Sequence, residues 1–148
     1  MAVIEKTTQL IARHEGLRLH PYVCSANKLS IGYGRNLDDV GISKAEAMSM
    51  LKTDVTQAFS DAHKFKWFRA LDGVRRAVVV NMIFNLGFTR FNKFRKTLAL
   101  IEKGHYTAAS VEMLKGTGKG GRSKWANQVG PRADELSKMM STGQWPNQ

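Results

Sequence analysis

Three side chains near the N-terminus are of types that do chemistry: Glu15, Cys24 and Ser30, all within HEGLRLHPYVCSANKLSIGYG, residues 14–34. Cys24 is the only cysteine of the chain. A first reading is thiol nucleophilic catalysis, in which a histidine must take the proton. His20 lies four residues before Cys24, and along an extended strand that spacing is about 13 Å, too far for proton transfer; His14 is the better partner. A second reading is a metal held by His14, His20 and Cys24. HEGLR begins like a zincin helix, but the position four after His14 is Arg18 rather than a second histidine, so the helix-borne ligand pair is missing and no metal is expected. A third reading is glycoside cleavage, where one carboxylic acid protonates the leaving oxygen and a second polar group holds the attacking water or attacks directly. Glu15 can be that acid, but the usual second carboxylate is absent, since Asp38 and Asp39 read as loop acids. The plain alternatives are a packed thiol at Cys24 and an outward strand residue at Ser30.

The elements around these residues follow from periodicity. Val3, Ile4, Thr7, Leu10, Ile11 and His14 recur at helical spacing, so an amphipathic helix should end where Gly16 follows Glu15. LRLHPYV and LSIGYG alternate bulky and polar residues around SANK, which predicts an antiparallel hairpin with Pro21 on an edge strand. A loop of about six residues follows. Ser43 and Glu46 form a capping box, and Met48, Leu51, Val55, Phe59 and Ala62 trace one face of a helix to about residue 64. Asp72 caps a helix that runs through GVRRAVVVNMIFNL to Gly87 and, being apolar nearly all round at VVVNMIF, should be central. Phe94 to Lys103 and Tyr106 to Lys115 read as further helices. GTGKGGRS (116–123) reads as a mobile loop, Trp125 to Gln128 as a turn, and Pro131 to about Ser141 as a last helix. There is no internal repeat. The plan is α+β, a small sheet lobe beside a helical one.

With 148 residues, 43% of them hydrophobic, the chain can bury a real core. Twenty-three Lys and Arg against 12 Asp and Glu give a net charge of +11, which attracts anionic partners in general. The basic residues (Arg75, Arg76, Arg90, Lys93, Lys119 and Arg122 among them) spread over several elements rather than one recognition helix, so no specific nucleic acid is expected. GTGKGG lacks the spacing of a phosphate loop and the Ser or Thr after its lysine. A single cysteine makes no internal disulfide. No apolar run approaches the roughly 18 residues of a membrane span, and the N-terminus lacks the apolar core of a signal peptide, so the expectation is no membrane span and no export segment.

Five ordered stretches then resemble one family. HEGLRLHPY is similar to an EGLRL-x-x-Y segment, LSIGYG to a T-I-G-x-G strand, ISKAEA to a capped helix start, DGVRRAVVVNMIFNLG to a central helix, and SKWANQVGPRADEL to a W-x-N-Q…R-A segment. These belong to the phage-type lysozymes of glycoside hydrolase family 24, the T-even phage lysozyme family. Its catalytic pattern is Glu, eight residues, Asp or in some members Cys, five residues, Thr; this chain keeps the spacing with Glu15, Cys24 and Ser30.

The resemblance implies a two-lobed lysozyme-like fold: a hairpin lobe over about 15–42, an inter-lobe helix over about 43–64, and a helical lobe over about 65–148 joined by the N-terminal helix 1–14. It implies an endolysin that hydrolyses the β-1,4 bond between N-acetylmuramic acid and N-acetylglucosamine in peptidoglycan, without a cofactor, as a monomer. Such a protein would accumulate in the host cytoplasm and reach the wall through a lesion made by a separate holin. Glu15 carries over as the general acid, and Arg132 as the arginine that orients it. Cys24 with Ser30 would hold the attacking water, or Cys24 would attack the anomeric carbon as a thiolate. An ordinary thiol has a pKa near 8.5 and is mostly neutral at pH 7 unless basic surroundings lower it. Phe84 and Asn85 would line the substrate cleft, Asn85 bonding an acetamido group, while Gly32, with Gly34, would let sugar approach the backbone. The segment from Arg35 to Ile42 is shorter than in the T-even prototype, so the small lobe is reduced. The reading from another class is a basic wall-binding antimicrobial protein whose catalytic site has decayed.

Overall fold

The structure, a computed structural model, describes residues 2–147. It falls into two compact units, Met1–Met50 and Leu51–Gln148, with the division inside the long helix α2 (Lys44–Ala62). The first unit contains α1 (Ala2–Glu15) and a three-stranded antiparallel sheet of β1 (Arg18–Val23), β2 (Leu29–Gly32) and β3 (Arg35–Asn36), in that spatial order. Gly16 ends α1 as expected, its N–H donating to Ala12 O at 3.0 Å. Tyr22 pairs with Ser30 and Val23 with Leu29, and the register shifts between Arg18 and Tyr22, the stretch that carries Pro21. That places the proline at an irregularity on an edge strand, where its missing N–H breaks no ladder.

β3 replaces part of the expected loop. Two residues have little strand propensity alone; side chains fix them. Leu29 N donates to Asp38 Oδ2 at 2.7 Å, Lys28 pairs with Asp39 at 3.1 Å, and Arg35 donates to Glu46 at 2.8 Å and to Gly41 O at 3.1 Å. Asp38 and Asp39 are thus loop acids with structural work. At the start of α2, Glu46 N donates to Ser43 Oγ at 3.1 Å and Ser43 N to Glu46 Oε1 at 3.4 Å, the reciprocal capping box. No apolar side chain among the described residues of this unit is buried; its one buried residue is Ser30. Polar ties, rather than a core, order the small sheet.

The second unit holds the core. After α2 and a 3-10 turn at Phe68–Ala70 come α3 (Gly73–Leu86), α4 (Phe88–Phe91), α5 (Arg95–Glu102), α6 (Tyr106–Glu112), α7 (Lys124–Val129) and α8 (Pro131–Thr142). α3 is central: Val78, Val79, Val80, Met82 and Ile83 are all buried, packed with Phe68, Phe91, Met113, Trp125 and Met140. Burying each such large side chain is worth about 1.5–3 kcal/mol. Asp72 caps α3 by accepting from Arg75 N at 3.0 Å. The Arg75 guanidinium also pairs with Asp72 at 2.9 Å, donates to Met140 O at 2.7 Å and Ser141 O at 3.0 Å, and lies 4.0 Å over the Tyr106 ring. One side chain therefore joins the start of α3 to the last carbonyls of α8.

Two expectations need correction here. Residues 116–123 do not form a loose loop: Gly116 N donates to Gly121 O, Gly118 N to Arg122 O at 2.8 Å and Ser123 N to Leu114 O at 2.7 Å, with a bridge between Lys115 and Arg122. The turn at Trp125 to Gln128 is the helix α7, because Ser123 caps it through Ala126 N at 3.0 Å and Trp125, 4% exposed, anchors it in the core.

Candidate active site

Glu15 is the last residue of α1, and the glycine that follows turns the chain into β1. Its carboxyl lies against the turn between β2 and β3: a β-carbon built on Gly34 would stand 3.5 Å from Glu15 Oε2 and 3.8 Å from Cδ. Gly34, with φ +82°, therefore leaves one side of the acid open down to bare backbone.

Cys24 opens the loop between β1 and β2. The loop closes on itself, with Cys24 N donating to Lys28 O at 2.9 Å and Asn27 N to Cys24 O at 2.9 Å; Asn27 takes the left-handed conformation this requires, φ +59°. The closed loop aims N–H groups at the sulfur. The backbone N–H of Lys28, then that of Ala26, hold the Cys24 thiol below the ordinary thiol range against a smaller upward push from burial, and the Ser30 hydroxyl adds to them. The donors are amides rather than the basic side chains that sequence suggested. Hydrogen bonds to the charged form favour it, so the thiolate is more populated near neutral pH than in a free cysteine.

Ser30 is 2% exposed, so it faces inward rather than outward. Its hydroxyl donates to Lys28 O at 3.2 Å and also lies within reach of the sulfur. Ser30 is the second residue of β2, and Gly32 is its last. The strand thus keeps the thiol's partner and the acid's turn apart, with about 7 Å of backbone from Ser30 to Gly32. Cysteine, serine and glutamate are brought to one small sheet, and the acid and the thiol stand at different places along it. Gly32 itself, φ +72°, has open space where a side chain would begin.

The remaining predicted residues lie in the second unit. Arg132, in the first turn of α8, donates from Nε and a terminal nitrogen to Asn81 Oδ1 at 3.0 and 2.7 Å. Asn85 accepts from Trp125 Nε1 at 2.9 Å, which occupies its oxygen and leaves its amide N–H groups as the part that could donate to a ligand carbonyl. Phe84 is 42% exposed at a groove of about 410 Å³ that Val55, Phe59, Val80, Asn81 and Arg132 also line. Of the W-x-N-Q stretch, Asn127 is structural, donating to Lys119 O at 3.1 Å. Sequence reasoning missed Asn81, whose pairing with Arg132 spans 51 residues, and the amides around Cys24, which no side-chain motif announces. A second groove, of about 400 Å³, gathers Lys93, Arg95, Lys96 and Lys115. Among the described residues no three of His, Cys, Asp and Glu are grouped as metal ligands would be, and no helix is long and apolar enough to cross a membrane.

A unit of helices packed around one central helix, together with a unit that holds a small three-stranded antiparallel sheet, is an α+β lysozyme-like fold. Residues 12–135 match the phage lysozyme family, and the chain belongs to it. It is 33% identical over 122 residues to an endolysin of Acyrthosiphon pisum secondary endosymbiont phage 1, covering 78% of this chain and 80% of that one. It is also 26% identical over 106 residues to probable T4-type lysozyme 2 of Dictyostelium discoideum, covering 69% of this chain and 58% of that one. The protein is an enzyme, a glycoside hydrolase of the lysozyme type that acts on the bacterial cell wall.

Proposed function

We propose that this protein is an endolysin that cleaves the β-1,4 bond between N-acetylmuramic acid and N-acetylglucosamine, with Glu15 as general acid and Cys24 and Ser30 as the water-holding pair. The observation that carries the assignment is the Cys24 loop, whose amide N–H groups hold the thiol below its ordinary range at the position where the family pattern has Asp or Cys. In the step proposed, Glu15 gives its proton to the bridging oxygen as the C1–O bond breaks. Water attacks C1 from the opposite face, its proton passing to the Cys24 thiolate while the Ser30 hydroxyl fixes its position. The configuration at C1 inverts; the Cys24 thiol then releases its proton to solvent, and solvent returns one to Glu15. Arg132 is the proposed positioning residue for the acid, held in orientation by Asn81. Phe84, Asn85 and Gly32 are proposed substrate contacts.

By its likeness to the phage endolysin, the protein would act in host lysis as a monomer, accumulating in the host cytoplasm until a holin opens the membrane. The cations of the Lys93–Lys115 groove would favour the acidic envelope.

The test is reducing-sugar release from purified peptidoglycan together with turbidity loss on permeabilised bacteria. Glu15→Gln should abolish both. Cys24→Asp should remain active and Cys24→Ala should not; full hydrolysis by Cys24→Ala would remove the thiol from the mechanism. The anomer first formed, read by NMR, should be inverted. Killing that survives Glu15→Gln would instead support the wall-binding antimicrobial alternative.

A further inference from the structure

A groove of about 410 Å³ lies between the outer face of α8 and the chain that follows it. Met139, 7% exposed, lies at its inner side, and Trp145, 63% exposed, stands in its lining. Asp134, Glu135, Lys138 and Gln144 supply polar groups. Asp134 is paired with Arg122 at 3.1 Å, whereas Glu135 and Lys138 have no ion-pair partner among the described residues.

This composition selects a ligand. On a chain of net charge +11, a lining with two carboxylates and one ammonium disfavours the polyanions that the rest of the surface attracts. A lone cation would suit the indole and the carboxylates, but Lys138 opposes it. Unpaired acceptor and donor side chains within one turn of a helix, beside a flat amphipathic ring, suit a neutral ligand with a hydroxyl rim and an apolar face. A pyranose has both. The volume falls within the roughly 300–1,000 Å³ of small-ligand sites.

We infer that the groove of Glu135, Lys138 and Trp145 is an accessory saccharide-binding site, which meets the Phe84–Arg132 groove at Trp145, a residue lining both, and that it holds the N-acetylated glycan strand of the wall. Trp145 stacks on a sugar face while Glu135 accepts from hydroxyls and Lys138 donates to ring substituents or acetamido carbonyls. The inference rests on the proposed wall-glycan substrate.

The experiment is titration of the ¹⁵N-labelled full chain carrying Glu15→Gln with tetra-N-acetylchitotetraose. The three tryptophans give three indole N–H signals, and Trp145→Phe assigns the one of interest. The Trp145 signal should shift saturably. Retention of the Glu15→Gln chain on purified sacculi should fall about fivefold with Trp145→Ala, the worth of one aromatic contact near 1 kcal/mol. Trp145→Phe should retain most of the binding. Glu135→Ala with Lys138→Ala, on an exposed helix face, should weaken it without touching the tail. A shift of the Trp125 indole alone, or unchanged retention by Glu135→Ala with Lys138→Ala, whose side chains line this groove and not that of Phe84, would overturn the site, as would a response to free lysine but not to the oligosaccharide. Loss of wall hydrolysis in the wild-type protein would sink the endolysin reading yet leave the Trp145 shift intact, so the two failures are distinguishable.

Discussion

Replacing Gly34 with alanine tests whether the carboxyl of Glu15 is the reacting acid. The added methyl would meet Glu15 Oε2 at 3.5 Å, ordinary van der Waals contact, so it fits without collision. Its first cost is conformational. A residue with a β-carbon at φ +82° loses about 1–2 kcal/mol, offset by about 0.4–1 kcal/mol from the stiffer unfolded chain. The net loss, about 1 kcal/mol, lowers Tm by about 2–4 °C for a chain of this size. Its second cost falls on activity if Glu15 is the acid as proposed, because the methyl would then fill space beside it that the sugar ring uses. Overfilling a close contact costs about 1–3 kcal/mol, which is about 5- to 150-fold in kcat/KM. Gly41→Ala separates the two costs. Gly41 has φ +65° with nothing within 4 Å, so it should lose similar stability and little activity. Thermal unfolding and reducing-sugar release on both variants give the comparison. If Gly34→Ala keeps the hydrolysis rate of Gly41→Ala while both are equally destabilised, the acid beside Gly34 is not the catalytic one.

Iodoacetamide at pH 7 should alkylate native Cys24 faster than the unfolded chain, because its thiol is held low by the amides of Lys28 and Ala26; Ser30→Ala should slow this only in part, the hydroxyl being the lesser donor. Hydrolysis should rise with pH through the Cys24 titration at a lower pH than an ordinary thiol allows, and in Cys24→Asp that rising limb should move into the carboxylate range. Partial burial pushes the Asp72 carboxyl up, but the Arg75 amide and guanidinium outweigh it and hold it below the usual range. Its charge therefore stabilises the fold above the ordinary carboxylate pKa, and that contribution is lost as pH falls through the folded value. Asp72→Asn keeps the cap and should cost only about 0.2–1 kcal/mol at pH 7, a difference from wild type that vanishes in acid unfolding curves. Arg75→Met removes the link to Met140 O and Ser141 O and should cost about 2–4 kcal/mol by urea unfolding; a loss below 0.5 kcal/mol would show that these contacts carry no weight.

The helices were legible where their ends are written locally. Ser43 with Glu46, Asp72, Gly87 and Pro131 each mark a boundary through groups only a few residues apart, and α2, α3 and α8 start or stop at those marks. What escaped depends on distant partners. β3 exists because Arg35 reaches Glu46 and Asp38 reaches Leu29, and α7 because Trp125 is buried. At the candidate site, residue types and spacing singled out Glu15, Cys24 and Ser30 as candidates, while the means by which the thiol is tuned could not be read. Amide direction is a property of loop conformation, and the same five letters from Cys24 to Lys28 in another turn would leave the sulfur unperturbed.

The glycine-rich stretch from 116 to 123 bears on how this enzyme can be engineered. A β-carbon on Gly116 would stand 2.5 Å from Ser123 Cα, and one on Gly118 would stand 2.6 Å from Arg122 O. A segment that looks like a linker is in fact a clasp, and a tag or fused domain spliced at its base would prise open the cap of α7. Gly120 and Gly121, at the tip with free space around them, are where such cargo belongs.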